Sequence, residues 1–190
     1  MIKNFVLLLF AVACTFGCAS RDGAALQSSV KHAREDREPR KLLAIGDAFA
    51  SIGDSVRAAQ YYSLAIDSGG DERAIFPRLL EVCIRDRQFR AALSYVENYL
   101  RKHPENAKLR FLAGSLYASM DETKLARSQY EAAAAEEPKN SEVRYALAVL
   151  SRDHEANPVG ADLQFREYLK LEPTGAHAEE ARSSLLETVP

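Results

Sequence analysis

The sequence predicts an all-α protein: an α-solenoid of about four helical hairpins in a row, closed by a C-terminal capping helix. Three observations predict it. Alanine and breaker positions recur 34 residues apart, as in Ala92 and Ala126 or Pro104 and Pro138. Strand signals are weak, because few segments alternate apolar and polar residues beside hairpin-type turns. The tail GAHAEEARSSLLETVP carries one apolar stripe, Ala178, Ala181, Leu185 and Val189, with Glu179, Glu180, Arg182 and Glu187 directed outward.

The chain has 190 residues, 47% hydrophobic and 27% charged, with a net charge of −2. That balance argues against a nucleic-acid partner, which requires a cationic excess. The start, MIKNFVLLLFAVACTFGCAS, places Lys3 before an apolar run from Phe5 to Phe16. The run suits the core of a signal peptide and is short of the roughly 20 residues that cross a bilayer. Gly17, Cys18 and a small, polar stretch follow. This resembles the lipobox of bacterial lipoproteins. The resemblance implies that residues 1–17 are removed and that Cys18 carries lipid. The absence of Asp just after Cys18 implies sorting to the outer membrane. Thr15 departs from the leucine that the family prefers there, and Cys14 is a competing position. An ordinary cleaved secretory signal, leaving a soluble periplasmic protein, and an uncleaved anchor are the other readings. Each buried CH₂ of an acyl chain contributes about 0.8 kcal/mol, so stable anchoring takes more than one chain. With Cys14 gone, Cys83 has no intramolecular disulfide partner. Residues 18–38 read as the lipidated cysteine and a tether. Its second half, KHAREDRE, mixes charge signs without an apolar stripe and suits a solvated spacer.

A frame beginning at Pro39 divides the next stretch into 39–72, 73–106, 107–140 and 141–175. One column reads Gly46, Leu80, Gly114 and Ala148. Another reads Ala58, Ala92, Ala126 and, after one inserted residue, Ala161. A bulky column reads Tyr62, Val96, Tyr130 and Phe165, and Ala65, Tyr99, Ala133 and Tyr168 follow three later. Gly70, Pro104, Pro138 and Pro173 close the units. These columns resemble the tetratricopeptide repeat (TPR), a 34-residue helical hairpin. The resemblance covers roughly 39–175.

Physical reasons stand behind the columns. Helices approach closely only where a side chain is small. Proline ends the second helix because it lacks an N–H and clashes with the preceding turn. Asn106 and Asn140 suit N-caps of first helices, and Asp54 and Asp121 suit caps of second helices. Leu80, where a small residue is missing, should hold its hairpin farther apart. Pro77, near the start of its helix, is expected to delay that start. The sequence NPVG, Asn157 to Gly160, should take the insertion in its turn, and Thr174 should cap the tail helix, residues 176–190. A single hairpin cannot bury its apolar face, so neighbours supply the missing surface.

Chemistry is sparse. His32, His103, His154 and His177 pair with no nucleophile motif, and there is no glycine-rich phosphate loop. Cys83 falls at an apolar helix position, which suits burial rather than reactivity. No enzymatic activity, cofactor or metal is expected. What remains is a surface. In the TPR family the first helix of each repeat lines a concave groove. The resemblance implies groove residues Arg40, Leu43 and Asp47; Arg78, Glu81, Ile84 and Arg85; Lys108, Phe111 and Ser115; and Tyr145, Val149 and Arg152. Aromatic and arginine side chains in such a face are of the types that anchor a partner.

The expected function is that of a membrane-anchored periplasmic scaffold or adaptor binding another envelope protein or peptide segment. TPR lipoproteins of this kind resemble the pilotin-type assembly factors of pili and secretins in Gram-negative bacteria, or components of outer-membrane protein assembly. A self-associating structural protein is the alternative, and concentration-dependent size without a partner would mark it. Metabolic labelling with a fatty acid checks the anchor. Label is expected on the wild type and not on Cys18→Ala; label on both moves the site to Cys14 or elsewhere.

Overall fold

The computed structural model describes residues 38–187. The leader, Cys14, Cys18, nearly all of the tether and Val189 lie outside the described residues. Four hairpins form within them: α1 (Pro39–Ser51) with α2 (Ser55–Asp67), α3 (Glu72–Arg85) with α4 (Phe89–Lys102), α5 (Ala107–Ala118) with α6 (Thr123–Glu136), and α7 (Ser141–Asp153) with α8 (Pro158–Leu171). The six-residue α9 (Ala178–Ser183) follows. Every regular element among the described residues is helical. Each second helix also packs on the first helix of the next hairpin, and α8 packs on α9. The core is therefore serial: two buried clusters draw on adjoining hairpins, and the third joins the fourth hairpin to α9.

Local chemistry starts the helices. The side chains of Asn106 and Asn140 accept from the backbone N–H of Leu109 and Val143, which caps α5 and α7. Asp54 and Asp71 do the same for α2 and α3 through Arg57 and Arg73. Asp121 does not cap α6. It takes a left-handed backbone (φ 59°), and Glu122 holds the cap position without a side-chain bond. The period explains this: the equivalents of Asp121 are Gly53, Arg87 and Ala156, all with positive φ. Asp tolerates that region, which costs most L-residues roughly 1–2 kcal/mol.

The turns also locate the insertion. The N–H groups of Asp54, Gln88 and Glu122 each reach back five residues, to the carbonyls of Phe49, Cys83 and Tyr117. Asn157 reaches back six, to Ser151. The extra residue sits in that turn, where Asn157 then caps α8 through the Gly160 N–H at 2.9 Å. Pro77 lies inside α3 and does not delay its start at Glu72. It only removes the bond its own N–H would have given one turn back.

Packing at the hairpin contact pairs small with large. A Cβ on Gly46 would come within 2.7 Å of the Tyr62 ring, and one on Gly114 within 2.5 Å of the Tyr130 ring. Leu80 and Tyr99 are both bulky where the first and third hairpins have glycine and alanine, and α3 and α4 make the loosest hairpin. Cys83 is fully buried, and burial pushes its thiol up to about 11, with the Asp86 charge adding to the effect.

Gly114→Ala should destabilise the protein. Helix propensity favours alanine by about 1 kcal/mol, but forcing the Tyr130 ring aside costs about 1–3 kcal/mol. Denaturant unfolding should show a net loss, partly recovered by adding Tyr130→Leu. A stabilised Gly114→Ala would refute the close contact.

Candidate docking groove

The first helices α1, α3, α5 and α7 supply the residues of the candidate groove, and two clefts open between them. One, of 280 Å³, lies between α5 and α7 and is lined by Phe111, Ser115, Ala118, Tyr145, Ala146 and Val149, with Glu142 and His154 at its margin. The other, of 370 Å³, lies between the first turns of α1 and α3 and includes Arg40, Leu43, Ala74 and Ile75. Volumes near the lower end of ligand pockets suit single side chains of a partner better than a large small molecule.

Tyrosine hydroxyls from the second helices reach this surface over the glycines. Tyr62 donates to Asp47 Oδ1 at 2.8 Å. Burial first, then that carboxylate, pushes the Tyr62 hydroxyl up to about 12. Tyr130 donates to the Ser115 hydroxyl at 3.2 Å, and its ring lies 5.5 Å from that of Phe111. The floor of the α5–α7 cleft is thus held by packing.

Several expected groove charges are already occupied. Arg78 reaches both Asp47 carboxylate oxygens at 2.8 Å, joining α3 to α1. Both side chains are about half exposed, so solvent screens the pair and it adds little to stability. Arg85 lies 3.4 Å from the Ala50 carbonyl at the end of α1. Arg40, Glu81 and Lys108 are exposed and form no ion pair among the described residues.

Tyr145 and Arg152 are drawn into the C-terminal cap. The Tyr145 ring stacks on His177 at 3.8 Å, and its hydroxyl donates to Glu180 at 2.6 Å. Burial and then Glu180 push that hydroxyl up to about 12. Arg152 donates to Asp153, Glu180 and Ser184 and lies over the Phe165 ring. Arg152 therefore does not face the cleft, and Tyr145 offers it only part of its surface. Glu180 points inward, contrary to the helical-stripe expectation, because two strong donors on α7 await it. Thr174 does not cap the tail helix. His177 holds that position, fixed by its own N–H donating to the Tyr168 hydroxyl at 3.0 Å. The helix is also shorter than expected. Beyond Ser183 the Leu186 N–H turns in to donate to buried Asp162 at 2.9 Å.

Glu142, Ala118, Ala146 and His154 line the cleft without having been singled out from the sequence. Glu142 and Ala118 occupy the second and twelfth repeat positions, so the 34-residue frame already pointed to them. Among the described residues no cluster of His, Cys, Asp and Glu could hold a metal, and no helix is long and apolar enough to cross a membrane.

Comparisons with known proteins agree with this geometry. The tetratricopeptide repeat profile matches residues 84–150. A structure of MamA, residues 41 to the end, from Desulfovibrio magneticus RS-1 superposes with a TM-score of 0.60 at 20% identity, over 75% of this chain and 80% of that one. The fold is a TPR solenoid. YrrB, described as a TPR protein with an unusual peptide-binding site, gives 0.64 at 18% identity, covering 85% and 89%. A tetratricopeptide repeat protein from Parabacteroides merdae gives 0.65 at 21%, covering 77% and 58%. No curated protein matches the sequence significantly.

The cap of this solenoid should loosen in acid. Tyr145 and then Arg152 hold the Glu180 carboxyl below its ordinary value, and Arg166 does so for Asp162, aided by the Leu186 N–H. Depressed carboxylates stabilise fully above their unfolded values, near 4, and lose that contribution as pH falls through the folded ones. Amide exchange across 178–186 should therefore speed up below about pH 4 before α3–α6 respond. Uniform loosening of all helices would contradict this.

Proposed function

We propose that this chain is a lipid-anchored scaffold or adaptor on the periplasmic face of the outer membrane. It holds a segment of another envelope protein against its inner surface. The observation that carries this reading is the open apolar cleft between α5 and α7. Inner-face side chains nearby pair with one another or with the cap, while Phe111, Ala118, Ala146 and Val149 keep an accessible apolar lining. An apolar or aromatic anchor of the partner would enter there, and Arg85 and Lys108 would favour an acidic residue toward α3. YrrB, with its peptide-binding site, supports a peptide as the kind of ligand such a solenoid takes. The lipobox-like leader supports the membrane address. Anchoring confines the search for a partner to the membrane surface and raises its effective concentration. A pilus, secretin or other envelope assembly is the proposed client.

Photo-crosslinking in the envelope tests this. A crosslinking residue at Phe111 should capture a pilus or secretin component, and the same residue at outward-facing Gln60 should not. Adding Val149→Asp should reduce capture at least tenfold with the fold intact by circular dichroism. Equal capture from both positions, or no effect of Val149→Asp, would move the site away from this cleft. Tyr145 is unsuited to this test because its loss would also release the cap.

A further inference from the structure

The two ends of the solenoid are finished differently. In the second and fourth hairpins, the third, seventh and tenth repeat positions are Ile75, Leu79 and Val82, and Val143, Leu147 and Leu150. All lie under the preceding hairpin, with at most 3% exposure. The first hairpin has Lys41, Ile45 and Ala48 at these positions, and no helix precedes it among the described residues. Ile45 is 39% exposed, and Ile52 at 72% and Val56 at 51% extend the patch to the α1–α2 turn. The other end is covered by α9, where Ala178 and Ala181 are buried.

We infer that residues 24–36 of this chain dock on the open face as a helix antiparallel to α1, closing the first hairpin. The chain outside the described residues ends at Arg37, and Glu38 follows in extended backbone directly before Pro39 at the start of α1. The covalent connection thus delivers this segment to the face. Leu26, Val30 and Ala33 are spaced i, i+4 and i+7, which places them on one side of a helix. A helix of that length is about 20 Å long, and α1 has 13 residues to receive it. Reversal at Arg37 and Glu38 sets the register. Ala33 meets the Lys41 stem, Val30 meets Ile45 and Ala48, and Leu26 meets Ile52 and Val56. Taken alone the segment has little to bury; the open face supplies its partner surface. A second copy could cover the same patch but would lose translational freedom that a tethered segment has already given up.

One consequence rests on the lipoprotein reading above. Docking leaves only residues 18–23 as free spacer, so its reach falls from about 70 Å to about 20 Å. The groove is then held close to the bilayer.

Disulfide trapping in the full chain tests the docking. Val30→Cys with Ile45→Cys should close an intramolecular bridge under mild oxidation at least tenfold faster than Ser28→Cys with Ile45→Cys, because Ser28 lies on the opposite side of the helix. Single variants control for reaction with Cys14 or Cys18. A bridge between copies would assign the face to a second chain, and equal rates would mean that the segment does not dock; either overturns the inference. Amide exchange gives an independent reading. Residues 27–36 should exchange at least tenfold more slowly than an unstructured peptide. Leu26→Asp should abolish that protection and leave α3–α8 unchanged. Exchange at unprotected rates in the wild type would also overturn the inference. Neither readout depends on acylation, so a Cys18→Ala background should give the same results even if the anchor assignment fails.

Discussion

The structure depends on matching a small residue in one helix of a hairpin to a large one in the other. Gly46 faces Tyr62 and Gly114 faces Tyr130, each with no room for a Cβ. Ala148 belongs with Phe165, and Leu80 with the smaller Val96. Where the first helix gives up its side chain, the second brings its largest ring. This complementarity sets how closely each pair of helices approaches, because interiors pack to near crystalline density and leave little slack. It also reaches the inner surface. A tyrosine lying across a glycine passes the helix and presents its hydroxyl on the far side. Asp47 and Ser115, each one residue after the glycine, accept those hydroxyls. The contact that closes a hairpin thus also shapes the chemistry of the groove.

Serial packing makes the ends costly. Interior hairpins cover one another, but a terminal hairpin must find a cover elsewhere. At the C-terminus the cover is only six helical residues long and buries little apolar surface of its own. Its hold is polar. Tyr145 and Arg152 bind Glu180, buried Asp162 binds Leu186, and Ser141 donates to Glu172 at 2.8 Å beside it. That solution takes two residues from the inner face of the fourth repeat. The free part of the groove is consequently the cleft one step inward, between α5 and α7, and a second cleft near the opposite end. The looser second hairpin, with Leu80 and Tyr99 wedged between its helices, lies between these two clefts in the chain.

Features set by neighbours within one repeat were legible in the residue order. The caps at Asp54, Asn106 and Asn140 each depend on groups a few residues apart; the insertion was legible in the fourth repeat, but it sits before Asn157 and not in NPVG, which starts α8. Phe111, Ser115 and Val149 were expected on the inner face through the tetratricopeptide resemblance, and they line the α5–α7 cleft. The reading of Asp121 failed although the 34-residue frame contained the answer: its equivalents are Gly53, Arg87 and Ala156, which turn the chain and do not cap it.

The sequence by itself determined the helical class and the period, because these follow from local propensity and spacing; the inward side of each first helix came only through the repeat resemblance. Only the tertiary structure decided which inner-face charges remain available. Asp47 meets Arg78 from 31 residues away, and Tyr145 meets Glu180 from 35 away. Such meetings depend on the angle and separation between successive hairpins. Those follow from the combined packing of many side chains, which no single column of the repeat expresses.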